Sequence, residues 1–321
     1  MILCCGEALI DMVPSGDLYR PCPGGSPYNS AVAIGRLGVP VSFLGRLAKD
    51  FFGDLLLERL SASKVRTDLI ARSEQNSTLA FVKLEHGKEP QYAFYTADTA
   101  DRSFSSGDLP ARLPSDTTCI LFGSISMTME PVASTIEQLI QRERDARVIS
   151  FDPNIRPIMI KDMEAYLRRL EAWIAASTIV KISNADIEFV YPALSLNEAI
   201  ERILSLGPAL VVVTLGKNGS TAVGKRGQDC ARPGTLFCAS APVYDIEIVD
   251  TIGAGDTFHA AFLAWLEEHG KMSRKAISAL SEAELTEALS FANLAASLVC
   301  AKRGAEPPTK AEMDAYAKKR L

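Results

Sequence analysis

The stretch Asp250-Thr251-Ile252-Gly253-Ala254-Gly255-Asp256-Thr257-Phe258 brings together residue types that can hold an anion and remove a proton. Gly253 and Gly255 admit backbone conformations and close approaches that a side chain forbids. Directly after them, Phe258, Ala261, Phe262 and Trp265 recur at helical spacing, so a buried helix is predicted to begin here. Ile248 and Val249, just ahead, predict a strand that enters the turn. A helix N-terminus leaves amides without internal acceptors and carries partial positive charge, which suits phosphate. Asp256 falls in that first turn, where a carboxylate can accept the proton of an attacking hydroxyl. The same pattern fits a plain turn with Asp256 as N-cap, and spacing alone leaves both readings open.

Other polar clusters punctuate apolar segments. Pro21-Cys22-Pro23-Gly24-Gly25-Ser26-Pro27 is dense in breakers. It leads into a helix predicted over residues 28–37, with Ala31, Ile34 and Leu37 on one face and Gly38 as its stop. Asn29, in the first turn, can both donate to and accept from a polyol. Glu7 and Asp11 interrupt and follow a short buried strand expected over residues 1–9. There they either face a ligand beyond the sheet edge or act as solvated turn residues. Asp152-Pro153-Asn154-Ile155-Arg156 closes another apolar run, and Arg156 can clamp a substrate or a phosphoryl oxygen. His259, one helical turn past Asp256, reads as structural.

The elements that must position these groups follow an α/β rhythm. Strands are expected at 39–44, 119–122, 148–151, 179–183 and 210–215, with helices at 51–60 and 131–142 among them, further helices through 255–299 and a short one after Pro307-Pro308. Residues 78–104 depart from that rhythm. Leu79, Phe81 and Leu84 alternate, His86-Gly87 marks a turn, and Tyr92, Phe94 and Tyr95 form a second short run. Such a hairpin suits a lid that excludes water or an association surface. Gly219-Ser220-Thr221-Ala222-Val223-Gly224-Lys225 approaches a P-loop, but Arg226 stands where a hydroxyl must hold Mg2+, and Gly227-Gln228-Asp229 reads as a turn.

The 321 residues are 47% hydrophobic and 23% charged, ordinary for a globular protein. A net charge of −5 argues against nucleic acid or an anionic membrane as partner. No apolar run reaches membrane-spanning length, and residues 1–7 lack the pattern of a secretory leader. Seven scattered cysteines without a C-x-x-C pair argue against a disulfide framework or zinc site. A cytoplasmic location is expected.

Taken in order, these motifs resemble the ribokinase-like, or PfkB, carbohydrate kinases over nearly the whole chain. Gly24-Gly25-Ser26-Pro27-Tyr28-Asn29 is similar to that family's N-terminal sugar motif. Asp250 to Asp256 is similar to its C-terminal motif, while Asp152 to Arg156 and Thr214-Leu215-Gly216-Lys217-Asn218-Gly219 fit between them. The resemblance implies one domain over residues 1–321: a three-layer α/β/α sandwich with a mostly parallel central sheet and a small β lid from roughly 12–22 and 75–104. It implies γ-phosphoryl transfer from ATP to a sugar hydroxyl, with Asp256 as base, Gly253, Ala254 and Gly255 as anion hole and Arg156 beside the moving group. Asp11, Gly24, Gly25, Asn29 and Tyr95 would hold the sugar. Ser183, Thr214, Gly216, Gly219 and Asn293, with Ala254 and Gly255, would line the nucleotide pocket. Asp250 and the Ile252 carbonyl would hold a monovalent cation such as K+. Where the family often carries Asn-x-x-Glu for water-relayed Mg2+, alignment on Lys181 offers Asp186, one methylene shorter, with Glu188 nearby. The form Gly-Gly-Ser-Pro-x-Asn and the neutral Thr96 are most like fructokinases. Ketodeoxygluconate kinases and other sugar or nucleoside kinases of the family are alternatives, as is a sugar-binding regulatory protein without catalysis. Family analogy also suggests a homodimer through the lid.

Overall fold

The computed structural model describes residues 1–83, 91–227 and 234–318. The expected positions Leu84, His86-Gly87 and Gln228-Asp229 lie outside them. The strands are β1 (Ile2–Cys5), β2 (Leu9–Ser15), β3 (Leu18–Gly24), β4 (Val41–Ala48), β5 (Ile70–Ser73), β6 (Thr78–Lys83), β7 (Gln91–Tyr95), β8 (Cys119–Gly123), β9 (Val148–Asp152), β10 (Ile179–Ser183), β11 (Leu210–Thr214), β12 (Ser220–Lys225) and β13 (Leu236–Ala241). The helices are α1 (Ser26–Arg36), α2 (Phe51–Ala62), α3 (Val132–Glu143), α4 (Met163–Ala176), α5 (Asn184–Val190), α6 (Leu196–Leu206), α7 (Ala254–Glu268), α8 (Arg274–Ser278), α9 (Glu282–Cys300) and α10 (Lys310–Lys318).

Nine strands form the main sheet in the order β13-β12-β11-β10-β9-β8-β1-β4-β5. All neighbours from β11 to β5 pair parallel, while β12 and β13 add an antiparallel edge. The parallel strands are aliphatic on both faces because helices cover both. Alternation sorts them into two cores. Ile2, Cys4, Leu121 and Val212 pack with α1, α7 and α9, and Leu3, Phe122, Phe151 and Val213 pack with α3, α4 and α6. The architecture is the expected α/β/α sandwich. Helix α7 is buried all round from Asp256 to Leu266, as an internal helix must be.

The second sheet has the order β3-β2-β6-β7. It takes in Leu9–Gly24, more than the expected 12–22, because the predicted strand over 1–9 divides. β1 ends at Cys5, the chain turns through Gly6 with φ at 148°, and Leu9 opens the lid sheet. The expected strand at Ile248-Val249-Asp250 is also absent. Ile248 is 66% exposed, and the amides of Val249 and Asp250 donate to the Cys300 carbonyl, not to a neighbouring strand. Ser220–Lys225 is strand β12, so the P-loop-like residues carry no phosphate-binding helix start.

Candidate active site

The site lies beyond the C-terminal ends of the parallel strands, where open α/β sheets place ligands. Helix α7 begins after Gly253, whose φ of 76° is left-handed and whose Cβ, if present, would meet the Ala305 Cβ at 2.7 Å. The residue must therefore be glycine. Asp256 follows in the first turn and is buried. Its Oδ1 accepts from Ser26 Oγ at 2.7 Å and from Asn154 Nδ2 at 3.4 Å, and its Oδ2 accepts from Asn29 Nδ2 at 2.9 Å. Burial raises its pKa, the Ser26 and Asn29 hydrogen bonds lower it, nearby Asp152 adds to the rise and Lys181 opposes it. Among the described residues, the amides of Gly255 and Asp256 have no protein acceptor, whereas that of Ala254 donates to the Thr251 carbonyl at 3.2 Å. Of the expected anion-hole donors, Ala254 is thus engaged inside the turn, and Asp256 is not the helix cap.

The sugar motif enters from α1. Gly25 caps it with φ at 106°, where a Cβ would stand 2.7 Å from the Glu7 carbonyl. Glu7 does not face a ligand. It is buried, its Oε1 accepts from the Ser26 amide at 3.1 Å, and its Oε2 accepts from the Ser126 hydroxyl and amide. It therefore positions the Gly25-Ser26 loop. Asp11 sits on the lid strand β2, packed against Gly24. Its carboxyl is pushed up to about 7, first by burial, then by Asp256, with Arg156 opposing and Glu7 adding. Arg156 is half-buried, its Nη1 donating to the Asn154 side chain at 2.7 Å and to the carbonyls of Asn154 and Ile155.

Strand alternation corrects one expected contact. Asp11 registers with Ala80 and Ala80 with Phe94, whereas Tyr95 registers with Leu79 and hence with Ile10. Side chains of paired residues share a face, so Tyr95 lies on the opposite face from Asp11. It is 61% exposed, edge-on to Phe81 at 5.5 Å. Tyr92 and Phe94 occupy the face of Asp11, stacked at 5.8 Å.

The residues expected to border a nucleotide cluster at the ends of β10 to β12. Ser183 and Thr214 are register partners, and Thr214 also pairs with Ser220. Gly216 and Gly219 take positive φ in the turn between β11 and β12. Asn293 is buried and its Nδ2 donates to Ser220 Oγ, the Ala241 carbonyl and the Pro242 carbonyl at 2.9–3.1 Å, so its amide nitrogen is spent on tying α9 to the sheet edge.

Two oxygen sets suit cations. Asp186 accepts from Ile155 N at 3.0 Å through Oδ1 and from Ser183 Oγ and N through Oδ2, forming a capping box on α5. Three donors leave about one of the roughly four lone-pair directions of a carboxylate, which fits a Mg2+ reached through water. Glu188 is exposed and bonded by Asn184 at 2.6 Å. Asp250 accepts from Ile252 N at 3.0 Å and Gly304 N at 2.8 Å, joining the loop before α7 to the turn after α9. Its remaining lone pairs and the Ile252 carbonyl are hard oxygen donors of the kind K+ takes. Among the described residues no group of three or more His, Cys, Asp or Glu could hold a metal ion.

Ser26, Asn154 and Lys181 stand beside Asp256 or Gly255 although no motif role singles them out. A signal existed for the last: Lys181 is the one charged residue in the otherwise apolar run Ile179-Val180-Lys181-Ile182.

The chain matches the model of the pfkB family carbohydrate kinases over residues 3–312. It is 39% identical over 290 residues to a protein named fructokinase from Rhizobium leguminosarum bv. trifolii, covering 89% of this chain and 85% of that one. Among solved structures, fructokinase from Xylella fastidiosa with bound ATP superposes with a TM-score of 0.88 at 27% identity, covering 99% of this chain and 98% of that one. Fructokinase from Vibrio cholerae O395, bound to fructose, ADP and a calcium ion, gives 0.82 at 26% identity, with 98% of each chain covered. No helix among the described residues is long and apolar enough to cross a membrane.

Proposed function

The chain belongs to the pfkB family of carbohydrate kinases, and from that premise we propose that it transfers the γ-phosphoryl of ATP to a hydroxyl of fructose. The observation that carries this is the buried carboxylate of Asp256, set in the first turn of α7 beside amides without a partner among the described residues and across from Asp11 on the lid strand. The fructokinase relatives, and the structure that holds fructose with ADP, support fructose as the acceptor.

In this reading Asp11 and Asn29 accept from and donate to sugar hydroxyls over the Gly24-Gly25 floor. The reacting hydroxyl lies against Asp256, which takes its proton as the oxygen attacks phosphorus. The amides of Gly253, Gly255 and Asp256 stabilise charge on the transferring group, and Arg156 stands beside it. Phosphoryl transfer depends mostly on such positioning and charge stabilisation. Ser183, Thr214, Gly216 and Gly219 border the nucleotide, with Asn293 bracing that border from behind. Asp186 would hold Mg2+ through water, and Asp250 with the Ile252 carbonyl would hold K+. Mg2+ would supply charge neutralisation at the phosphates. The outer lid face bears Tyr19 and Tyr95, each exposed and edge-on to Phe81, which supports association of two chains through the lid. Its check is the mass in solution of the wild type against Tyr95→Glu.

Coupled ADP release with fructose, ribose, adenosine and 2-keto-3-deoxygluconate tests the assignment. Fructose is expected to give the highest kcat/KM. Preference for any of the others overturns it, and absence of transfer to every sugar would favour a non-catalytic sugar-binding protein.

A further inference from the structure

The first turn of α7 rests on a charged pair to which neither the sugar nor the nucleotide assigns a role. On the sheet face turned toward α1, α7 and α9, β1, β8 and β11 present apolar side chains and β10 contributes Ile179. Lys181, two residues on, occupies that same face. Its Nζ donates to Asp152 Oδ2 at 2.8 Å, and the two side chains are only 5% and 3% exposed. A Cβ on Gly255 would stand 3.1 Å from that Nζ, so the ammonium lies directly beneath the glycine that precedes Asp256. A buried ammonium is costly unless it is paired, and packing gains nothing from it that an aliphatic residue would not supply.

The other titratable groups around this point are mostly acidic. His259, on the next turn of α7, is bonded through Nε2 to Ser150 Oγ at 2.7 Å, and its Nδ1 is 3.9 Å from Asp152 Oδ2. Burial first and Lys181 second hold it well below its ordinary pKa, so it is neutral and adds no charge. Asp152 and Asp256 face Lys181 from β9 and α7, Asp186 faces it from α5, and all three carboxylates act on the ammonium. From the lid side Asp11 presses on Asp256, with Glu7 and Arg156 around it. Asp152 Oδ1 has no partner among the described residues, so half of that carboxylate's negative field is not offset by hydrogen bonds.

Resting on the assignment of Asp256 as the base, we propose that Lys181 is a positioning residue for phosphoryl transfer: pinned by Asp152 beneath Gly255, it joins the Ser26 and Asn29 hydrogen bonds in keeping the Asp256 carboxylate in its proton-accepting form. The proton of the sugar hydroxyl then passes to a base held ionised among other carboxylates. Gly255 is glycine so that the ammonium can approach the helix start from below.

The test is the pH dependence of kcat/KM for fructose, with saturating ATP and Mg2+, for the full chain and for Lys181→Met, Asp152→Asn and Asp256→Asn, with folding checked by circular dichroism. Lys181→Met should move the acidic limb upward while alkaline activity largely returns. Asp152→Asn is nearly isosteric and removes a neighbouring negative charge, so it should move the limb downward. Shifts of opposite sign support the proposal, since a purely structural pair would lower activity evenly at all pH. Unmoved limbs, or limbs that move the same way, overturn it. If Lys181→Met does not fold, Lys181→Gln, which keeps a polar partner for Asp152 but removes the charge, is read in the same way. Asp256→Asn separates the two assignments: turnover retained with an acidic limb would remove Asp256 as base, whatever the Lys181 result.

Discussion

Helices α1 and α7 begin alike and end up with opposite roles. Each follows a glycine with positive φ, 106° at Gly25 and 76° at Gly253, and neither has a side-chain cap. At α1 the hole is filled from within: the buried Glu7 carboxylate accepts from the Ser26 amide. At α7, among the described residues, no carboxylate turns back onto the helix start, since Asp256 spends its oxygens on Ser26, Asn29 and Asn154. A glycine-led helix start is a general anion trap. Whether it serves a substrate or the fold depends on which acid reaches it, and that acid comes from elsewhere in the chain. The filled end then supports the open one, because the first turn of α1 supplies Ser26 and Asn29 to Asp256.

The largest expected effect tests whether the open end is the working end. Asp256→Asn should lower kcat by about 10²–10⁴-fold while fructose binding, followed by calorimetry, persists. Retained turnover would end the contrast between the two helices. Closing the open end comes next. Gly253→Ala forces an L side chain into a left-handed position against Ala305, displaces the amides, and should cost about 10²–10³-fold in kcat; a change confined to the fructose KM would count against the anion-hole role.

Emptying the filled end should read out as stability. Glu7→Ala leaves the Ser26 amide and the Ser126 hydroxyl without their buried partner and should cost about 1–3 kcal/mol in urea unfolding, with a smaller loss of kcat than Asp256→Asn.

Asp11 sharpens the comparison through pH. With its carboxyl pushed up to about 7 in the fold and an ordinary value near 4 when unfolded, it is protonated in both states at low pH. As pH rises toward 7 the unfolded chain releases the proton while the fold retains it, so stability falls, and above 7 the loss is constant. Asp11→Asn should therefore gain melting temperature relative to wild type between pH 4 and 8, while the fructose KM rises. A gain that is the same at both pH values would show that Asp11 is not held protonated. The smallest effect belongs to Glu188→Ala, expected within about 0.5 kcal/mol and without change in Mg2+ dependence, in contrast to Asp186→Asn.

Much of this was legible in the residues. The strands over 119–123, 148–152 and 179–183 and the helix after Gly253 came close to their observed bounds, because aliphatic runs and helical periodicity are local. Ile248-Val249 misled for the opposite reason. Apolar residues favour a strand only where a neighbour offers a ladder, and these found only the Cys300 carbonyl. The family resemblance implies Tyr95 at the sugar, but a one-residue step in register reverses the face. The fixed bonds of Asp186 to Ser183 and Ile155, and of Asn293 to Ser220 and Ala241, could not be read from composition.

The local chemistry is written in the residues: glycines that tolerate positive φ, an acid in the first turn of a buried helix, and a parallel α/β core. Tertiary structure alone decided which acid fills which helix end, that Ser26 reaches Asp256 across 230 positions, and that Lys181 stands beneath Gly255. Helical and strand periods repeat over a few residues and leave a trace in sequence. The partner of a buried polar group is set by packing between distant segments, which has no period to read.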